Sequence, residues 1–197
     1  MSEFTTYFQL GFEHISDVRG YDHMLFIITL CAVYKVTEWK KVLVLVTAFT
    51  IGHSVTLAMS ALNIVRINPD LIELLIPITI FVTAIHNVTS YKSSGTTFGR
   101  SDWVHYAFAL GFGFIHGMGF SNFFKALMGS EESIVAPLFA FNVGLEFGQI
   151  LIVVAFFAIF WIIGKVRTIK IHDWTLFISG AGAGVSLILI IEKLFEF

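Results

Sequence analysis

The chain has 197 residues, 56% hydrophobic and 13% charged, with a mean hydropathy of +0.83; a soluble domain carries about a quarter charged residues, so the expected solvent is lipid. A net charge of −2 excludes electrostatic steering and a nucleic-acid partner. The lone Cys31 excludes an intramolecular disulfide and a thiolate cluster, which leaves nitrogen and oxygen as the donors for any bound metal.

The first segment, Phe4–Ile15, sets Phe4, Phe8, Phe12 and Ile15 among Glu3, Gln9, Glu13 and His14, the pattern of an amphipathic helix at a membrane interface. It has neither the basic start nor the small-residue cleavage site of a secretory signal and reads as part of the mature fold. Six apolar runs follow, at Gly20–Val36, Val42–Ile64, Leu71–Tyr91, Trp103–Leu127, Ile134–Gly164 and Trp174–Leu194. Each approaches the roughly 20 residues needed to cross a hydrocarbon core of about 30 Å. The first is short and opens on Tyr21-Asp22-His23, so its outer end is polar, and the preceding segment Phe4–Ile15 could extend it. The expected fold is an all-α, polytopic integral membrane helical bundle of about six transmembrane helices with an N-terminal interfacial helix, one domain over residues 1–197. Short loops leave no room for a soluble appendage.

Orientation follows from the basic residues, which stay cytoplasmic in short loops. Loops after the first, third and fifth runs carry Lys35, Lys40, Lys41, Lys92, Arg100, Lys165, Arg167 and Lys170, against Arg19, Arg66, Lys125 and Lys193 on the other side. Both termini should face outward.

Ionisable side chains inside such runs are expensive and are functional by default. Asp22 and His23 enter the first run from the outer surface, with His14 just before them. His53 sits near the middle of the second run, roughly 16 Å from its cytoplasmic start. His116 lies past the middle of the fourth, and Glu146 lies at comparable depth in the fifth. Asn142, Glu146 and Gln149 recur at i, i+4, i+7 and share one helix face, while Thr47, Thr50 and Ser54 form a stripe beside His53 that could orient its ring. Gly113 and Gly117 flank His116, Gly144 and Gly148 flank Glu146, and Gly180 and Gly184 repeat the spacing, which lets helices pack closely in lipid. A metal site of His14, Asp22, His23, His53, His116 and Glu146, lined by Thr50, Ser54, Asn142 and Gln149, is the leading expectation. His86, with Asn87, and His105 lie near the inner ends of their runs as weaker candidates, and His172 falls in a basic inner loop. Competing readings make His14 an interfacial residue, Asp22-His23 a helix cap, and His53, His116 and Glu146 a buried hydrogen-bond network that fixes packing.

The strings Gly11-Phe12-Glu13-His14-Ile15, Gly20-Tyr21-Asp22-His23-Met24-Leu25-Phe26, Phe49-Thr50-Ile51-Gly52-His53-Ser54-Val55-Thr56-Leu57, Gly113-Phe114-Ile115-His116-Gly117-Met118-Gly119-Phe120 and Phe141-Asn142-Val143-Gly144-Leu145-Glu146-Phe147-Gly148-Gln149 resemble the HupE/UreJ family from about Gly11 to Gln149. His14 stands further from Asp22 than in the nickel-permease branch, and His116-Gly117 has no second histidine nearby, so the likeness is to the wider group. The resemblance implies a small multi-pass protein of the bacterial inner membrane, an accessory to hydrogenase or urease, proposed to carry nickel or cobalt. Its partners would be the bilayer and the ion, with oligomeric state and maturation partners open. Divalent nickel, cobalt or zinc suits the donor set. A rival reading from the same residues is a membrane-embedded zinc hydrolase with Glu146 as general base; a third is a structural or partner-binding membrane subunit.

Overall fold

The computed structural model describes residues 2–18, 20–65, 68–93, 102–128 and 133–196. Arg19, Arg66 and Arg100, used above for orientation, lie outside the described residues, as does the side chain of Lys92. Every regular element described is helical: α1 Glu3–Ser16, α2 Asp22–Cys31, a 3-10 turn Val36–Glu38, α3 Trp39–Ala61, α4 Pro69–Ser93, α5 Asp102–Met128, α6 Val135–Val166 and α7 Ile171–Glu196. The chain is an all-α membrane bundle.

Four stretches are long and apolar enough to cross a membrane: Val36–Ala61, Pro69–Ser90, Val135–Val166 and Ile171–Phe195. The expected count of about six is thus supported for four. The 27 residues of α5 have the length, about 40 Å at 1.5 Å per residue, but two histidines and four glycines between His105 and Gly119 dilute its apolar character. The expected span Gly20–Val36 contains just the ten residues of α2, about 15 Å of helix and half of a hydrocarbon core. α1 departs from expectation as well. Tyr7, Gly11 and Ile15, at i, i+4 and i+8, are buried along α6, so this helix joins the bundle over its whole length.

Backbone contacts at glycine fix the layout. A side chain at Gly11 would strike the Phe141 carbonyl, one at Gly144 the Phe8 carbonyl and one at Gly148 the Ile15 side chain; because Gly144 meets Phe8 and Phe12 while Gly148 meets Phe12 and Ile15, α1 and α6 run parallel with their backbones in contact. In the same way Gly52 lies on the Leu110 carbonyl, Gly113 on that of Phe49 and Gly117 on that of His53, which pairs α3 with α5, also parallel. α4 and α7 pack antiparallel: Lys193 Nζ pairs with Glu73 at 2.8 Å, and Asn87 Nδ2 donates to Ser179 Oγ at 3.2 Å. The short α2 threads the middle, where Phe26, Ile27, Thr29, Leu30 and Cys31 are all buried. Its exit is pinned by Asn87 Nδ2 donating to the Thr29 carbonyl at 2.7 Å and Thr175 Oγ1 to the Ala32 carbonyl at 2.8 Å.

This layout puts the start of α1, the α3–α4 connection and the end of α7 at one end of the bundle, and Lys35, Lys40, Lys41, Lys165, Arg167 and Lys170 at the other. Of the three glycine pairs expected to mediate packing, those at Gly113/Gly117 and Gly144/Gly148 do so, whereas Gly180 and Gly184 have nothing within 4 Å of where a Cβ would stand. In α7 it is Gly182, against Thr29, that needs to be small.

Overlap with a backbone carbonyl cannot be relieved by a rotamer change, so Gly144→Leu should separate α1 from α6. Thermal unfolding in detergent should give a midpoint well below wild type, an overpacking cost of at least roughly 1–3 kcal/mol, while Gly180→Leu leaves the midpoint unchanged. Equal midpoints for the two variants would contradict the packing described.

Candidate metal centre

His14, near the end of α1, and His23, at the start of α2, meet across the break between the two helices, where Ile15 and His23 are buried while Asp17, Val18 and Tyr21 are exposed. The ligand atoms of His14, His23 and His53 all lie within 4.8 Å of one another, a group that could hold a metal ion. Ring centroids are 4.6 Å apart for His14 and His23 and 5.8 Å for His14 and His53, and His116 joins from α5 with its ring 4.8 Å from that of His23. Two imidazoles on one ion, with metal–nitrogen bonds of about 2.0–2.1 Å and ligand angles between octahedral and tetrahedral, have centroids about 4.5–5.2 Å apart. Two of the three separations fall in that interval and the third is about half an ångström outside it.

The nitrogens are also unengaged. Nε2 of His14, Nε2 of His23, both ring nitrogens of His53 and Nδ1 of His116 are buried without a hydrogen-bond partner. A buried polar atom left unpaired costs about 1–3 kcal/mol, and one nitrogen from each of these four rings, on four helices, gives a donor set that a cation would satisfy. Apolar rings wall the group: Phe120 lies 3.9 Å from the His14 ring, centroid to centroid, and Phe141 stacks on His53 at 6.0 Å with the planes 17° apart.

Second contacts select which nitrogen faces inward. His23 Nδ1 is 3.1 Å from the Asp22 carboxylate, which leaves Nε2 pointing into the group. A carboxylate behind an imidazole orients the ring and raises its basicity as a ligand. For His116, Nε2 is 3.4 Å from Thr79 Oγ1, whose own hydrogen is given to the Ile76 carbonyl at 2.6 Å. The threonine oxygen can then act only as acceptor, so His116 carries its proton on Nε2 and keeps the Nδ1 lone pair for a ligand. Thr79 escaped the reading of the sequence, although Thr79, Thr83 and Asn87 at i, i+4, i+8 form a polar stripe on an apolar helix that could have signalled it.

Glu146 stands elsewhere. It accepts from Thr47 Oγ1 at 2.7 Å, and Gln149 Oε1 accepts from Thr50 Oγ1 at 2.8 Å, so the polar faces expected on the second and fifth runs meet each other and tie α3 to α6. Ser54 Oγ donates to the Thr50 carbonyl at 2.6 Å, and Asn142 keeps a buried, unpartnered Oδ1. None of the three hydroxyls bonds the His53 ring: Thr47 and Thr50 are engaged by Glu146 and Gln149 and Ser54 by the Thr50 carbonyl, while the ring stands against His14 of α1 and Phe141 of α6. His86 and His105 form a separate pair, and His172 pairs with Asp173 at 3.1 Å on an exposed surface.

A model of the family described as HupE / UreJ protein matches residues 1–193. The chain belongs to the HupE/UreJ family. No curated protein and no solved structure matches it.

Cobalt(II) added to the detergent-solubilised protein should raise its unfolding midpoint, by up to about 2.7 kcal/mol of stabilisation at a hundredfold excess over the dissociation constant, and His53→Ala should abolish the shift. A shift that survives His53→Ala would place the ion elsewhere.

Proposed function

We propose that this HupE/UreJ protein is a permease for a divalent first-row transition metal of the nickel or cobalt type. The observation that carries the reading is the convergence of His14, His23 and His53 ligand atoms within 4.8 Å across a helix break in a membrane bundle. In the proposal His14, His23, His53 and His116 hold the ion, and Asp22 acts through His23 as its orienting carboxylate. Broken helices at a binding site are how transporters bring irregular backbone and polar side chains to mid-membrane depth without exposing them to lipid. Here α1 and α2 together replace one span, and with α5 they complete the crossings beyond the four long apolar helices. Neutral imidazoles with few carboxylates bind a divalent ion without caging it, as release requires.

The direction of entry follows from charge. The end bearing Lys35, Lys40, Lys41, Lys165, Arg167 and Lys170 is assigned to the cytoplasm by the positive-inside rule, which turns both termini outward across the cell membrane. At the opposite end a cavity bounded by Tyr21, Asp22, Glu73, Ile76, Pro77, Glu192 and Lys193 opens beside the site, and its carboxylates suit capture of a cation. The rival zinc hydrolase needs Glu146 beside a metal-bound water. Hydrogen-bonded to Thr47 between α3 and α6, Glu146 gives that reading no support.

In proteoliposomes, wild-type protein should accumulate external nickel or cobalt, and His53→Ala and His116→Ala, each still folded, should lose at least about tenfold of the initial rate, as loss of a ligand implies. Undiminished uptake in those variants would defeat the permease reading. Asp22→Asn should keep transport but weaken metal affinity by about 10–100-fold, the cost of removing an orienting partner; titration of bound metal against a free-ion buffer measures it.

A further inference from the structure

His86 and His105 play no part in the site above, yet the fold brings them together from the inward halves of α4 and α5. Their ring centroids are 5.1 Å apart with the planes at 70°, inside the interval of about 4.5–5.2 Å derived above for two imidazoles on one ion. His105 is fully buried, and His86 is half-buried. An oxygen donor stands alongside, the Ser90 hydroxyl at 3.3 Å from the His86 ring nitrogens, and the Tyr34 ring packs on His105 at 5.8 Å, edge to face. We propose that His86 and His105 form a second binding station for a first-row divalent cation, on the side of the bundle opposite the entry cavity.

Eleven residues separate His105 from His116 along α5, about 16 Å of helix. Aromatic rings fill that interval: Phe108 packs on His86 at 5.2 Å and stacks on Phe112 at 5.2 Å, Phe112 meets Phe26 at 5.7 Å, and Phe26 meets His116 at 5.4 Å. The two histidine groups therefore sit at either end of a phenylalanine plug. With two imidazoles and a neutral hydroxyl the inner station binds more weakly than the outer group, which suits a last stop before release. Its role as a relay rests on the permease reading; its capacity to bind metal does not.

Equilibrium dialysis of the full chain in micelles against cobalt(II) tests the two sites separately. Wild type should bind two equivalents, the weaker lost in His86→Asn/His105→Asn and the tighter lost in His14→Asn/His53→Asn. Because His105 is fully buried, His86→Asn alone serves as a second variant, and it should weaken the second equivalent at least tenfold. Pulsed electron spin measurements on wild type loaded with two copper(II) ions should report a separation of about 16 Å. One equivalent that survives His86→Asn overturns the station and leaves the outer site standing, the two rings then being an aromatic packing contact. One equivalent that is lost in His86→Asn but survives His14→Asn/His53→Asn supports the station and overturns the outer site.

Discussion

The structure depends on how closely α3 can approach α5, and α1 can approach α6. In lipid there is no hydrophobic expulsion to press helices together, so close contact has to come from surfaces that fit. Gly52, Gly113 and Gly117 remove the side chains that would keep α3 and α5 apart, and Gly11 and Gly144 do the same for α1 and α6. The consequence for chemistry is direct, because Gly113 and Gly117 rest on the backbone of His53 itself and stand one turn apart around His116. A bulkier residue at either would push His53 and His116 out of range of a shared ligand.

That closeness would be unfavourable if nothing occupied the space between the rings. Four imidazoles packed among Phe26, Phe49, Phe120 and Phe141 leave five nitrogens buried and unpaired, in a setting where water is too scarce to satisfy them. Purely structural histidines would be expected to bond hydroxyls or carbonyls nearby, and Thr50 and Ser54 lie within one turn of His53 on α3, with Thr47 a turn further back. Those hydroxyls are instead spent on Glu146, Gln149 and the Thr50 carbonyl. The division leaves the His53 ring, set against His14 and Phe141, without a hydrogen bond and open to a ligand. A packing network alone has no reason to leave its nitrogens unpaired.

Much of this was legible in the residues. His14, His23, His53 and His116 stand out in the sequence because imidazole is costly in apolar runs, and depth arithmetic brought His53 and His116 to one level before any coordinates. Glu146 met the same criterion of depth but fell outside the group, since depth says nothing about which way a helix face turns. The face of Asn142, Glu146 and Gln149 was readable as polar; that it would meet α3 hydroxyls and not the histidines is a matter of helix rotation, which no local pattern encodes. The shortness of the first run was legible as well: its helix starts at the Asp22-His23 pair and stops at Cys31, and α1, the segment that could extend it, packs along α6.

The break between α1 and α2 is where these strands of argument meet. A continuous helix through this region would place residues 14 and 23 about 13 Å apart along its axis, too far for both to reach one ion; the turn after Ser16 returns the chain so that their rings stand 4.6 Å apart. Helix continuity is thus given up at the place where two ligands from one short stretch must converge. α6 packs against α1, and α4, α6 and α7 pack against α2, so the two helices that flank the interruption are held in the bundle while Asp17, Val18 and Tyr21 between them are exposed. A wider spacing between His14 and the Asp22-His23 pair is compatible with the same geometry, since a loop can absorb extra residues that a helix would turn into rotation and rise.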